Sequence, residues 1–159
     1  MNIFALDNDP KLCAQYHCDK HVVKMILEHA QMLSTTARLY DLDVGYKVTH
    51  KNHPSTIWVR ESRSNYEWLM EMTKHLHAEW KYRYDHQKNH KSFDLILSLP
   101  EPDYLPDIGQ TPFAMAMPDE YKSDNPVQSY RDYYVNSKKD LLVYTKRKKP
   151  NFILTTTIL

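Results

Sequence analysis

Within CDKHVVKMILEHAQML, Cys18 to Leu33, an imidazole, an ammonium and a carboxylate recur at helical spacing. At about 3.6 residues per turn, His17, His21, Lys24, Glu28 and Thr35 fall in one narrow sector, about three, four or seven residues apart. These groups can donate protons, accept them and bind anions, so a row of them facing a cleft can do acid–base chemistry on a bound substrate. Glu28, His21 and Lys24 are the candidate catalytic groups, with His17 beside them. The opposite sector carries Val22, Ile26 and Leu33, flanked by Met25 and Ala30, so the same helix must lie on a hydrophobic core. A plainer reading covers the pattern too: Lys24 and Glu28, four apart, can form an ordinary surface ion pair on an amphipathic helix.

The rest of the chain must supply a scaffold for that helix. Its 159 residues are enough for one domain with a real core, spanning 1–159. Only two glycines, Gly45 and Gly109, stand among many Leu, Met, Lys and Glu, which favours helices joined by Pro- and Asp-marked turns. No glycine-rich phosphate loop is present. Asp9-Pro10 and Asn125-Pro126 each set a capping side chain before a proline, a helix-start signal. The spacing predicts helix from Pro10 through the central stretch to near Tyr40, from Ser55 to Tyr84 with a break near Ser62 to Ser64, from Ser92 to Ser98, and from Pro126 to near Tyr144. A loop over 41–52 ends at His53-Pro54, and Met1 to Leu6 reads as a strand or an extended plug against the core. Prolines at 100, 102, 106, 112 and 118 make 99–125 an extended surface arm. The expected fold is therefore a single, mostly α domain of about six helices with a Pro-rich arm and a basic, apolar tail over 145–159.

Lys plus Arg number 21 against 20 Asp plus Glu, a net charge of +1, so any nucleic-acid surface must be local. HPSTIWVRESRSNY offers His53, Trp58, Arg60, Arg63, Asn65 and Tyr66, types that contact phosphates and stack on bases. The alternative for this stretch is a core Trp58 with solvated arginines. Lys146, Arg147, Lys148 and Lys149, with Tyr133, Tyr134, Tyr144 and Phe152 nearby, interleave cations with aromatic rings in the same manner. Cys13, His17 and His21 share a stripe on which zinc is geometrically conceivable. A second ligand pair would have to come from His50 and His53 or from His75 and His77, neither with zinc-finger spacing, and no metal or other cofactor is expected. Cys13 with His17 as its base is a further alternative, set against the habit of buried cysteines to act as small apolar residues. Two cysteines and no long apolar run point to a reducing cytosol and away from a membrane.

Together these motifs resemble the phage-type pyrimidine-dimer DNA glycosylases. Asp19-Lys20-His21, with Glu28 seven residues after the histidine, is similar to that family's Asp-x-His and catalytic Glu at the same separation. HPSTIW and the long helix after it resemble the family's Ser-Pro-Thr turn and following helix, and Tyr133-Tyr134 with Lys146 to Phe152 resembles its basic, tyrosine-rich tail. The resemblance implies an all-helical monomer acting on double-stranded DNA in a phage-infected bacterial cytoplasm, with the target base flipped out of the stack. It implies N-glycosidic cleavage, with or without β-elimination, in which Glu28 balances sugar cation charge or handles protons. Family members use the α-amine of a small second residue, freed by methionine removal, to form a Schiff base. Asn2 is too large for efficient removal, so the amines in question are those of a retained Met1 or of Lys24, with water activated by Glu28 as the route that needs neither. Leu27 precedes Glu28 where the family has arginine, which leaves the base open. Two rivals use the same residues: a non-catalytic nucleic-acid-binding accessory protein, and a small enzyme that holds free nucleotides with His21 and Lys24.

Overall fold

The computed structural model describes residues 1–155 and holds seven α-helices and two 3₁₀ turns, with no strand among the described residues. In chain order the helices are α1 (Pro10–Tyr16), α2 (Asp19–Leu39), α3 (Pro54–Glu61), α4 (Arg63–Tyr84), α5 (Lys91–Leu97), α6 (Pro126–Ser137) and α7 (Asn151–Thr155). Asp9 accepts hydrogen bonds from the backbone of Lys11 and Leu12, and Asn125 accepts one from Gln128, so both cap-plus-proline starts are used. His53 Nδ1 caps α3 through the Ser55 N–H. At Ser62 the backbone is extended, and the hydroxyl of that residue accepts the Asn65 N–H to start α4.

The long helices α2 and α4 pack together at the centre, with α1 against α4 and α5 against α2. Val22, Met25, Ile26 and Leu33 of α2 meet Tyr66, Leu69, Met72 and Leu76 of α4 in one buried cluster. Each such side chain contributes about 1.5–3 kcal/mol by leaving water. Residues 1–6 run as an extended plug, and Ile3, Phe4, Ala5 and Leu6 are all buried in that cluster.

Three boundaries differ from the expectation. First, α1 and α2 are not continuous, because both His17 and Cys18 are extended. The Tyr134 hydroxyl takes the Cys18 N–H at 3.0 Å, in place of a helical carbonyl, so His17 lies off the α2 stripe. Second, α6 stops at Ser137, and a 3₁₀ turn at Lys139–Leu141 brings Leu142 back to the core. Third, the arm over 99–125 is only partly a surface element. Its Leu105 and Phe113 are buried, and the Phe113 ring lies 5.2 Å from Trp58 and 4.7 Å from Trp68. Gly45 (φ +68°) holds the 41–52 loop against α2, where a Cβ would come within 2.3 Å of Ser34 Oγ. Residues 156–159 of the expected apolar tail lie outside the described residues, and within those described no helix is long and apolar enough to cross a membrane.

Candidate active site

The plug ends beside α2. Asn2 is fixed by four hydrogen bonds: Nδ2 donates to Ala116 O at 3.0 Å, while Oδ1 accepts from Ile3 N at 2.7 Å, from Ser55 Oγ at 3.3 Å and from the Tyr130 hydroxyl at 3.4 Å. One residue earlier, the Met1 ammonium lies 2.9 Å from Glu28 Oε1. Glu28 is 8% exposed, and its Oε2 is buried without a hydrogen bond, 3.7 Å from Lys24 Nζ. These groups face a pocket of about 180 Å³ built from three parts of the chain: Met1, Asn2 and Phe4 of the plug, His21, Lys24, Met25 and Glu28 of α2, and Tyr133 and Lys138 at the end of α6. Lys138 Nζ lies 5.2 Å from the Tyr133 ring centre.

His21 forms one wall. Its ring stacks on Phe4, with centroids 4.4 Å apart and planes 10° from parallel, and its Nδ1 lies 2.7 Å from the Tyr134 hydroxyl. Burial pulls its pKa down to about 3, with smaller electrostatic contributions from His17, Lys138 and Lys24, so it is neutral at neutral pH. His53 feels burial first, then the Met1 ammonium and His50, with Glu28 opposing, and is shifted downward from the usual imidazole value. It therefore stands near the Met1–Glu28 pair.

His17 is fully buried and does not line the pocket, which corrects its expected substrate contact. Its Nδ1–H donates to Cys13 O at 2.7 Å, and burial lowers it to about 3. The Cys13 thiol donates to Phe4 O and is pushed up to about 12 by burial, so it stays a thiol and is no nucleophile. Among the described residues no three His, Cys, Asp or Glu side chains converge as metal ligands, and the zinc alternative has no ligand set there.

The expected DNA surface over His53 to Tyr66 is largely interior, a second correction. Trp58 and Tyr66 are 1% exposed and Asn65 is fully buried. The arm covers them: Trp58 Nε1 donates to Thr111 O, and Asn65 bonds both the Thr111 hydroxyl and the Thr111 N–H. Arg60 donates to Lys51 O, and Arg63 reaches Asp103 O and lies 3.8 Å from Asp107, both away from the pocket. The basic run divides. Arg147 makes two hydrogen bonds to the Glu79 carboxylate, and Lys146 pairs with Asp85 at 2.7 Å, whereas Lys148 and Lys149 are exposed. Glu79 and Asp19 in turn hold the buried Arg83 guanidinium, which also donates to the carbonyls of His17 and Gln15. Asp19 of the Asp-x-His motif accepts from both Thr145 N and Thr145 Oγ1, so its role is structural.

Phe4, Lys138, Tyr133 and Tyr134 belong to the site although sequence reasoning did not place them there. The paired tyrosines gave a faint signal as part of the family's tail. Lys138 gave none, since it follows the end of α6.

An α-helical domain that presents an amine and a buried carboxylate to a pocket of single-ring size has the parts of an enzyme of carbonyl or glycosidic chemistry. A family model described as pyrimidine dimer DNA glycosylase matches residues 1–92, more than half of the chain, and the chain belongs to that family. The match covers the plug and α1 through α4, and thus Met1, His21, Lys24 and Glu28, while Tyr133, Tyr134 and Lys138 lie beyond it. No curated protein and no solved structure matches the chain.

Proposed function

We propose that this DNA glycosylase cleaves the bond between deoxyribose and a damaged or modified base through a Schiff base on the Met1 amine, with Glu28 as its proton acceptor. The observation that carries the reading is the 2.9 Å approach of the Met1 nitrogen to Glu28 Oε1. Glu28 takes a proton from the ammonium, and the freed nitrogen attacks C1′ of a nucleotide turned out of the duplex. The C1′–N bond to the base breaks, and the base leaves with the proton that Glu28 gives back. Glu28 takes a second proton from the nitrogen and passes it to O4′ as the C1′–O4′ bond opens, giving the protonated imine, whose positive charge develops beside the Glu28 carboxylate. That imine acidifies the C2′ hydrogens. Loss of one expels the 3′-phosphate by β-elimination, and water releases the amine.

The pocket suits one ring at a time, since a cavity of about 150 Å³ holds a benzene. Lys24, 70% exposed, stands on the solvent side of Glu28 and fits a backbone phosphate better than C1′. Lys138 provides a second cation at the pocket.

The test is borohydride trapping on labelled duplexes that carry abasic sites and a panel of damaged and modified bases. The expected result is a covalent adduct mapped to the Met1 peptide and lost in Glu28→Gln. An adduct on Lys24 would move the nucleophile. Salt-sensitive duplex binding with neither adduct nor base release on any substrate would replace the reading with the accessory-protein one.

A further inference from the structure

His21 is held on its face and on one edge. Phe4 lies flat on the ring at 4.4 Å, the Tyr134 hydroxyl sits 2.7 Å from Nδ1, Nε2 makes no hydrogen bond within the protein, and the residue lines the pocket. What Nε2 offers a ligand depends on one proton. A neutral imidazole carries a single N–H, so hydrogen received at Nδ1 puts the ring's own hydrogen on Nε2, and a hydrogen on Nδ1 leaves Nε2 a bare lone pair.

Tyr134 decides between these forms. Its oxygen accepts the Cys18 N–H at 3.0 Å, and its one hydrogen can go to His21 Nδ1 at 2.7 Å or to Cys18 Sγ at 3.2 Å. An imidazole nitrogen is a strong acceptor and a thiol sulfur a weak one, so the hydrogen belongs to His21. Tyr134 is fully buried, and burial raises its pKa well above the usual phenol value, so it keeps the hydrogen it has to give.

We propose that Tyr134 is a positioning residue that fixes His21 in the Nε2–H form, so that a neutral imidazole presents a hydrogen-bond donor to the ring oxygen of a deoxyribose in the pocket. The ligand's identity rests on the glycosylase reading above; the position of the proton does not. Opening of the sugar breaks C1′–O4′ and leaves that oxygen needing a donor, which Nε2–H supplies while Glu28 handles the nitrogen's proton. His21 and Glu28 thus divide donor and acceptor roles, and His21 in this form is not the base.

The deciding experiment is nitrogen-15 NMR of the His21 ring in the full chain without DNA, paired with trapping rates. In the wild type, Nδ1 is expected to show the shift of an unprotonated nitrogen and Nε2 that of a protonated one. Tyr134→Phe should mix the two forms and slow adduct formation about tenfold with duplex affinity unchanged. His21→Gln, whose side-chain amide can still donate, should retain more of the rate than His21→Ala. A wild-type His21 protonated on Nδ1, or Tyr134→Phe trapping at the wild-type rate, would overturn the inference. Absence of any wild-type adduct would instead remove the glycosylase chemistry, and the nitrogen shifts would still decide where the proton sits.

Discussion

Helix α2 carries two charged clusters a few turns apart, and they are finished differently. At its N-terminus, Asp19 accepts from Arg83 and twice from Thr145, Glu79 accepts from Arg83 and Arg147, and the Arg83 side chain is wholly buried among carboxylates and carbonyls. Two turns on, Glu28 has one short contact through Oε1 and none through Oε2, His21 Nε2 is open, and the Lys24 side chain is 70% exposed. Every strong donor and acceptor in the first cluster is occupied by the protein, so it clamps the C-terminal segment to α2 and α4. Capacity remains in the second, and a pocket lies against it. Charge alone does not mark a site; charge with valences unspent beside a cavity does.

Substitutions can break that contrast, and the largest effect belongs to the open cluster. Glu28→Gln should lower the trapping rate at least about a hundredfold, while the urea midpoint moves less than for a residue with every atom bonded, because the amide oxygen can still accept from the Met1 amine and Oε2 already lacks a partner. Arg83→Met should do the opposite. It removes the buried cation that Asp19 and Glu79 share, each under a tenth exposed, leaving Asp19 only Thr145 and Glu79 only Arg147, and should cost about 3–5 kcal/mol in urea denaturation, with catalysis per folded molecule largely kept.

A pH effect separates the buried imidazoles from both clusters. His17, His21 and His29 are each pulled to about 3 by burial, from an ordinary value of 6.5. The unfolded chain takes up protons near 6.5 and the folded chain does not, so their contribution is whole above that pH and drains away as pH falls towards 3. The slope approaches about 1.4 kcal/mol per pH unit for each histidine. Urea midpoints at pH 7.5 and pH 5 are expected to fall in that order, and equal midpoints would contradict the burial argument. The smallest effect sharpens the division of the basic run. Lys148→Ala with Lys149→Ala should reduce the salt dependence of duplex binding by up to about two phosphate equivalents, whereas Arg147→Ala should lower the thermal midpoint and leave that slope intact.

Local periodicity made much of the scaffold legible. Val22, Ile26 and Leu33 face the core as their spacing requires, the Asp9 and Asn125 caps start their helices, and α3 and α4 divide at Ser62. What could not be read depended on partners far along the chain. His17 leaves the helical stripe because Tyr134, more than a hundred residues later, takes the next backbone N–H. Trp58, Asn65 and Tyr66 have the composition of a nucleic-acid surface, and Thr111 and Phe113 of the arm bury the region. Arg147 looks like a phosphate ligand until Glu79 is brought beside it by α4. The Met1 amine entered the sequence reading only through a family likeness, since no periodicity connects residue 1 with residue 28. Packing of the plug makes that link.

Chain ends ordinarily fray and sample many positions. Here Ile3 to Leu6 are sealed in the core and Asn2 is tied on both sides of its amide, so the amine at Met1 has little freedom left to lose. On the Schiff-base route proposed above, the entropic cost of bringing that amine to a sugar is met when the protein folds and not at each turnover. In rate language, packing around Phe4 and Leu6 then sets the effective molarity of the nitrogen in that proposed route.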